Sequence, residues 1–234
     1  MQNPSIHTIL VPQGAEYKSV CRGLKRSTAP TGLVTPVPVG VSPLTRHLKR
    51  LQQAGHFSNH PQPRVLLMGL CGSLTPRYNI GDIVLYDSCI YSSNDSTGVI
   101  QNCDLELTAL IHHVLKERVN RVKAVTSDRI IASAHEKLHL GQLYEADVVD
   151  MEGFAALEIL SQAGVAVAML RVISDNCHHD IPNLTSAISA EGSLQAVPLA
   201  LAMLRQPIAA TRLILGAMRG LQVLQNITTV FFYE

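Results

Sequence analysis

Continuous apolar runs alternate with amphipathic segments along most of this chain of 234 residues. Runs such as Arg64–Met68 and Val165–Ile173 show no polar alternation, which is typical of strands covered on both faces. Segments such as Leu105–Arg118 instead carry apolar residues at helical spacing. The predicted strands are Ile6–Val11, Arg64–Met68, Asp82–Tyr91, Val122–Thr126, Val148–Asp150 and Val165–Ile173. The predicted helices are Pro43–Ala54 (capped by Ser42), Leu105–Arg118, His135–Leu143, Met151–Gln162 and most of the chain after about residue 184.

Strands and helices follow each other in an order that predicts an α/β protein. We expect a single three-layer α/β/α domain with a mixed central sheet, spanning residues 1–234 without an internal linker. Pro36 and Pro38 favour an edge or irregular position for the extended stretch around them. The residues after about 184 are expected to form a helical C-terminal extension.

Composition limits the possible functions. The net charge of +1, the lack of a basic block and the absence of Trp argue against a nucleic-acid partner. Five cysteines without a CxxC pair suit reduced thiols in the cytoplasm. The start of the chain has no signal-peptide pattern, and the apolar run Ala196–Leu204 is too short to span a bilayer. Cys177–Asp180 is too compact for its side chains to converge on one metal ion, and we predict no metal and no cofactor.

Charged residues cluster where predicted strands end. Asp150 and Glu152 flank the junction between a strand and a helix, where open α/β sheets bind ligands. They could equally be a helix cap and a first-turn acid, and Glu16 has the same ambiguity after the first strand. Arg171 lies inside an apolar strand, where a guanidinium is costly unless it is paired. We predict a carboxylate partner for it, with Glu16 as the first candidate.

Several stretches together resemble the purine nucleoside phosphorylase and nucleosidase superfamily. The glycine-rich segment Gly69–Leu74 and the following Gly81–Val84 are similar to its glycine loop and the strand after it. Asp150–Gly153 resembles its DME motif, and Arg171–Asp175 resembles its R-x-I-S-D motif. Ser127–Asp128 matches a further region more loosely. The order and spacing agree from about residue 6 to residue 180.

This resemblance implies an enzyme that breaks the N-glycosidic bond of a purine nucleoside. Glu152 would hold the ribose hydroxyls while Met151 packs on the sugar, and Asp175, oriented by Ser174, would act at purine N7. Breaking this bond builds positive charge on the sugar and negative charge on the base, which suits carboxyl groups at both places. Further substrate contacts that the resemblance implies are Ile130, Ile131, Gly69, Cys71 and Gly72.

The nucleophile is the less certain part of the resemblance. Glu16 matches the acid that activates water in the nucleosidases, with Arg171 beside it. The Gly-Asp-Pro-x-Arg pattern of bacterial phosphorylases is absent, which favours water over phosphate. Leu70 and Ser73 depart from the glycine loop, so a nucleoside-binding protein with a decayed site stays a third hypothesis beside a nucleosidase and a phosphorylase.

The end of the chain bears on the substrate. Asp180–Pro182, Ala190–Gly192 and Arg205–Pro207 resemble the C-terminal extension of the hopanoid-associated branch, whose members are implicated in releasing adenine from adenosylhopane. The resemblance thus implies adenine nucleosides, including 5′-modified ones such as methylthioadenosine or adenosylhopane. We also expect a homo-oligomer, a dimer or larger.

Overall fold

The structure, a computed structural model, describes residues 5–27, 34–58, 60–91, 98–193 and 195–233. Its strands are β1 (Thr8–Pro12), β2 (Val34–Val37), β3 (Arg64–Ser73), β4 (Ile83–Tyr91), β5 (Ile100–Asn102), β6 (Asn120–Thr126), β7 (Val148–Asp150) and β8 (Ala166–Asp175). Its α-helices are α1 (Ala15–Leu24), α2 (Val41–Gln53), α3 (Leu105–Leu115), α4 (Ala134–Tyr144), α5 (Gly153–Gln162), α6 (Ala196–Arg205) and α7 (Pro207–Phe232). Single 3₁₀ turns occupy Lys116–Arg118 and Thr185–Ala187.

The strands form one mixed sheet in the order β2-β1-β3-β7-β6-β4-β5, and β8 bridges β3 and β4. Strand β3 runs parallel to β1 and β8 but antiparallel to β7. Because β8 also pairs with β4, the strands β3, β8, β4, β6 and β7 close into a hydrogen-bonded ring. The α/β fold with a mixed central sheet, predicted from the sequence, is confirmed.

Both faces of the sheet are covered by helices. Helices α2 and α5 pack on one face, where β3 contributes Val65 and Leu67. Helices α1, α3 and α7 pack on the other, where β3 contributes Leu66 and Met68. Adjacent side chains of one strand thus enter opposite cores, which explains the apolar run without alternation.

Three expected boundaries differ from the structure. The segment Gly69–Leu74, expected as a loop, continues β3 as far as Ser73 because it stays paired with β8 and then β7. Helix α2 begins after Gly40 rather than at a Ser42 cap. The C-terminal α-helices begin at Ala196, later than residue 184.

Two glycines let helix α7 pack closely, one against the sheet and one against α1. A Cβ on Gly216 would lie 2.1 Å from the Ser174 carbonyl oxygen, and one on Gly23 of α1 would lie 2.6 Å from the Gln225 carbonyl oxygen. These approaches allow α7 to cross both α1 and the end of β8. Within the described ranges, no helix is both long and apolar enough to cross a membrane.

Candidate active site

One cavity of about 380 Å³ lies where β1, β3, β7 and β8 end. Its wall has a polar end and an apolar end. The polar end is lined by Glu16, Asp150, Glu152, Ser174 and Asp175. The apolar end is lined by Ile181, Leu184, Ile188, Leu199, Met203, Leu213, Ile214 and Ala217.

Arg171 lies behind the polar end and is completely buried. Its Nη2 lies 3.1 Å from Asp150 Oδ2 and 3.4 Å from Glu152 Oε2. Burial by itself lowers the pKa of Arg171, but the two carboxylates reverse the shift and raise it. A carboxylate partner was correctly expected, whereas Glu16 as its ion-pair partner is wrong, because Asp150 at the end of β7 and Glu152 before α5 take that position.

The two acids at the end of β7 do different things. Asp150 accepts hydrogen bonds from Thr126 Oγ1 at 2.8 Å and from the Gly153 amide at 3.1 Å, so it holds the start of α5. Glu152 accepts from the Gly40 amide at 3.1 Å and reaches the cavity. Gly40 has φ 96°, which glycine adopts without strain. Burial raises the pKa of Glu152, and the guanidinium of Arg171 opposes that rise.

Glu16 lies in the first turn of α1 and faces Arg171 across Gly69. A Cβ on Gly69 would lie 2.6 Å from Glu16 Oε2 and 2.3 Å from Arg171 Nη1. Neither of these two polar atoms has a hydrogen-bond partner among the described residues. Burial raises the pKa of Glu16 to about 8, against the pull of Arg171. The side chain thus combines a first-turn position with a carboxyl group directed towards the site.

Asp175 ends β8 and forms an ion pair with Lys137 of α4, whose side chain is only 1% exposed. Lys137 Nζ also donates to the Asn176 carbonyl oxygen at 3.1 Å. Ser174 Oγ lies 3.0 Å from Asp175 Oδ1, where it can orient the carboxylate. A Cβ on Gly72 would lie only 2.9 Å from Asp175 Oδ2, so glycine at this place makes room for the acid.

The structure brings most of the predicted residues to the same cavity. Gly69 and Arg171 lie behind its wall and contact Glu16 and Glu152 rather than the open space. Their functional roles stay predictions. The predicted residues that line the cavity are Glu16, Cys71, Gly72, Ile130, Ile131, Met151, Glu152, Ser174 and Asp175.

Two parts of the site were not found in the sequence. Lys137 lies in a helix with polar neighbours, and such a lysine is normally solvated. The apolar end is contributed by residues after Asp180, where the resemblance to the hopanoid-associated branch did not identify which side chains reach the cavity. The signal that could have found them is helical spacing, since Leu199 and Met203 on α6 are four residues apart and so are Leu213 and Ala217 on α7.

Residues 60–205 match the family model of the phosphorylase superfamily. The chain is also similar to solved structures that share its fold. The 5′-methylthioadenosine/S-adenosylhomocysteine nucleosidase of Helicobacter pylori has a TM-score of 0.66 at 17% identity, over 97% of this chain and 98% of that one. Futalosine hydrolase of the same organism has a TM-score of 0.65 at 18% identity, over 94% and 95%. A putative methylthioadenosine nucleosidase from Weissella paramesenteroides has a TM-score of 0.62 at 19% identity, over 95% and 98%.

Proposed function

The chain belongs to the phosphorylase superfamily, and we propose that within it the protein is a nucleosidase that hydrolyses the N-glycosidic bond of an adenine nucleoside with an apolar 5′ substituent. The family assignment confirms the resemblance inferred from the motifs. The activity rests on one observation: a single cavity joins an acid for the base, a carboxylate for the sugar and a candidate base for water.

Departure of the purine is the step assigned to Asp175. As the glycosidic bond breaks, electrons move onto the purine, and a proton delivered at N7 neutralises the leaving base. Asp175 is ion-paired with Lys137, so the proton given to N7 would pass from the Lys137 ammonium through the Asp175 carboxylate and leave a neutral amine on Lys137. Ile130 and Ile131 would cover the base, and Ser174 would keep the carboxylate oriented.

Stabilisation of the sugar cation is the step assigned to Glu152. Its carboxylate lines the cavity and is fixed by the Gly40 amide and Arg171. A fixed anion next to a developing oxocarbenium ion stabilises the transition state more than the substrate. Met151, the preceding residue, would pack on the ribose.

Water is the nucleophile that the charges favour. Glu16 Oε2 and Arg171 Nη1 face each other without other partners among the described residues, and a water between them would satisfy both. Phosphate normally requires arginine side chains that are free to bind it. Arg171 is already paired with Asp150 and Glu152, and Arg129, which lines the cavity, is paired with Glu136.

The apolar end of the cavity supports a hydrophobic 5′ substituent. Leu199, Met203 and Leu213 line the same cavity as the acids, and α6 and α7 contribute no charged side chain to its lining. The Helicobacter pylori nucleosidase of similar fold has a structure with butyl-thio-DADMe-Immucillin-A. An alkyl arm such as that of adenosylhopane fits the same chemistry, because burial of apolar surface provides the binding energy.

The test is product analysis with and without phosphate on adenosine, inosine, methylthioadenosine and a 5′-alkylated adenosine. We expect adenine and a free sugar at equal rates under both conditions, with the highest kcat/KM for the alkylated substrate. A sugar 1-phosphate formed only with phosphate would make the protein a phosphorylase. Binding without turnover would support a nucleoside-binding protein. Glu152→Gln serves as the control, because it keeps the shape of the site and removes the anion near the sugar.

A further inference from the structure

Helices α6 and α7 each present a row of large apolar side chains to solvent. Large side chains recur there at helical spacing, and several of them are mostly exposed, Leu204 at 76% and Ile208 at 69%. Isolated exposed apolar residues are ordinary, whereas a contiguous set marks an interaction surface. We define this docking face by the exposed residues Val197, Leu201, Leu204, Ile208, Leu215 and Met218.

Positive charge accompanies the docking face. Arg205, Arg212 and Arg219 are seven residues apart and exposed, and residues 195–233 contain no Asp, Glu or Lys. Within the described part of the chain, none of the three arginines forms an ion pair. On α7, Arg212 and Arg219 follow Ile208 and Leu215 by four residues each, so charged and apolar side chains share one side of the helix.

We propose that this docking face binds the surface of an anionic lipid bilayer, with both helices lying in the plane of the interface. A helix with one apolar side and basic residues beside it inserts that side at the boundary between headgroups and acyl chains. Unpaired arginines are then attracted by anionic headgroups. The apolar residues and the arginines of the docking face meet both requirements.

A second copy of the chain is a poorer occupant of the docking face. In a two-fold symmetric dimer the same patch meets itself. The three arginines of one copy would then approach those of the other, and residues 195–233 supply no acid to pair with them. Like charges across an interface are repulsive, whereas a bilayer with anionic lipid offers opposite charge over its whole surface.

The docking face and the cavity lie on the same two helices. Leu199, Met203 and Leu213 line the apolar end of the cavity, while Leu204 and Leu215 point outwards. Docking would therefore hold the apolar end of the cavity within one helix diameter of the lipid. Lipid binding itself does not depend on the proposed nucleosidase activity, although it would bring an apolar substrate close to its site.

The test is co-sedimentation of the full chain with vesicles of phosphatidylcholine alone or mixed with phosphatidylglycerol. We expect binding to the mixed vesicles that weakens with salt. The double variant Leu204→Glu/Ile208→Glu should lower partitioning more than about tenfold, because two apolar side chains that would be buried in the bilayer are lost. Arg212→Gln should lower it roughly fivefold, the effect of about one basic residue at an anionic surface.

Leu105→Glu is the matched control, since Leu105 is also 76% exposed but lies on α3. It should bind as the wild type does, and thermal unfolding should confirm that all variants are folded. Absence of binding to the mixed vesicles, or equal binding by Leu204→Glu/Ile208→Glu, would overturn the proposal. If the wild type is an oligomer that does not bind vesicles, and Leu204→Glu/Ile208→Glu is a monomer, the docking face contacts another copy of the chain instead. Turnover of adenosine in the same samples tests the nucleosidase proposal separately.

Discussion

The buried Lys137–Asp175 ion pair predicts that Asp175→Asn will lose both activity and stability, and that a second substitution will restore only stability. In Asp175→Asn the ammonium of Lys137 stays buried, with the Asn176 carbonyl as its remaining strong partner. Removing one partner of a buried pair costs about 3–5 kcal/mol. Because the Asp175 side chain is 15% exposed, we expect the lower end, about 3 kcal/mol.

The double variant Lys137→Met/Asp175→Asn removes both charges and keeps similar volumes. Replacing a buried ion pair by uncharged side chains is often neutral, so most of the lost stability should return. For a chain of this size, a loss of about 3 kcal/mol lowers Tm by roughly 6–12 °C in Asp175→Asn. The double variant should unfold within a few degrees of the wild type.

Activity should behave differently from stability. Loss of a general acid lowers the rate by a factor on the order of 10²–10⁴, and the double variant still lacks that acid. The assays are thermal unfolding and kcat/KM on the best nucleoside, for the wild type, Asp175→Asn, Lys137→Met and the double variant. Recovery of activity in the double variant would refute a chemical role for Asp175. Equal Tm values for Asp175→Asn and the double variant would refute the coupling of the buried pair.

Four further predictions concern the other parts of the cavity. Because burial raises the pKa of Glu16 from 4.5 to about 8, kcat/KM should rise with pH towards about 8 as the carboxylate ionises, and Glu16→Gln should abolish that limb. The same raised pKa means that Glu16 binds a proton more readily in the folded than in the unfolded chain. Its contribution to the free energy of unfolding is therefore full below pH 4.5 and is lost as the pH rises through about 8. Urea titrations of the wild type and Glu16→Gln across this pH range measure the difference. Gly72→Ala should lower kcat on the order of 10²-fold with little change in fold, because the new Cβ would lie 2.9 Å from Asp175 Oδ2 and push the carboxylate out of place. An unchanged kcat would contradict the placement of Asp175 in the site. Met203→Ser should lower kcat/KM roughly tenfold for a 5′-alkylated adenosine but not for adenosine, and equal losses on both substrates would argue against an apolar arm at this end.

Local pattern was sufficient for most of the central sheet. Both faces of β3 and β8 are covered, so their continuous apolar runs identified them as strands. The segment Gly69–Leu74 was predicted wrongly because glycine normally signals a turn. Here Gly69 and Gly72 remain in the strand and leave space for acidic side chains that arrive from other elements. That reason is tertiary and has no local signature.

Candidate site residues were predicted where polarity conflicted with an apolar setting. Arg171 stood out because a guanidinium in a buried strand requires a partner, and the structure supplies two. Lys137 did not stand out, since a lysine that follows His135 and Glu136 in a helix with polar neighbours gives no sign of burial. Its burial results from the packing of α4 near the end of β8, which cannot be predicted from the spacing of residues along the chain.

The charge balance around Arg171 explains how one group of acids can contain both a fixed anion and a base. The guanidinium of Arg171 carries one positive charge and is paired through Nη2 with both Asp150 and Glu152. The two carboxylates together carry more negative charge than this one cation can balance. Glu16 is the third acid and approaches the other nitrogen, Nη1, without an ion pair of its own. In a buried site an acid left without full compensation binds a proton more readily, which agrees with the pKa of about 8 for Glu16. A carboxylate of that basicity accepts a proton from water far better than an ordinary one. Neutralising Asp150 as Asp150→Asn should therefore lower the pKa of the acidic limb of kcat/KM, because Arg171 would then compensate Glu16 more fully.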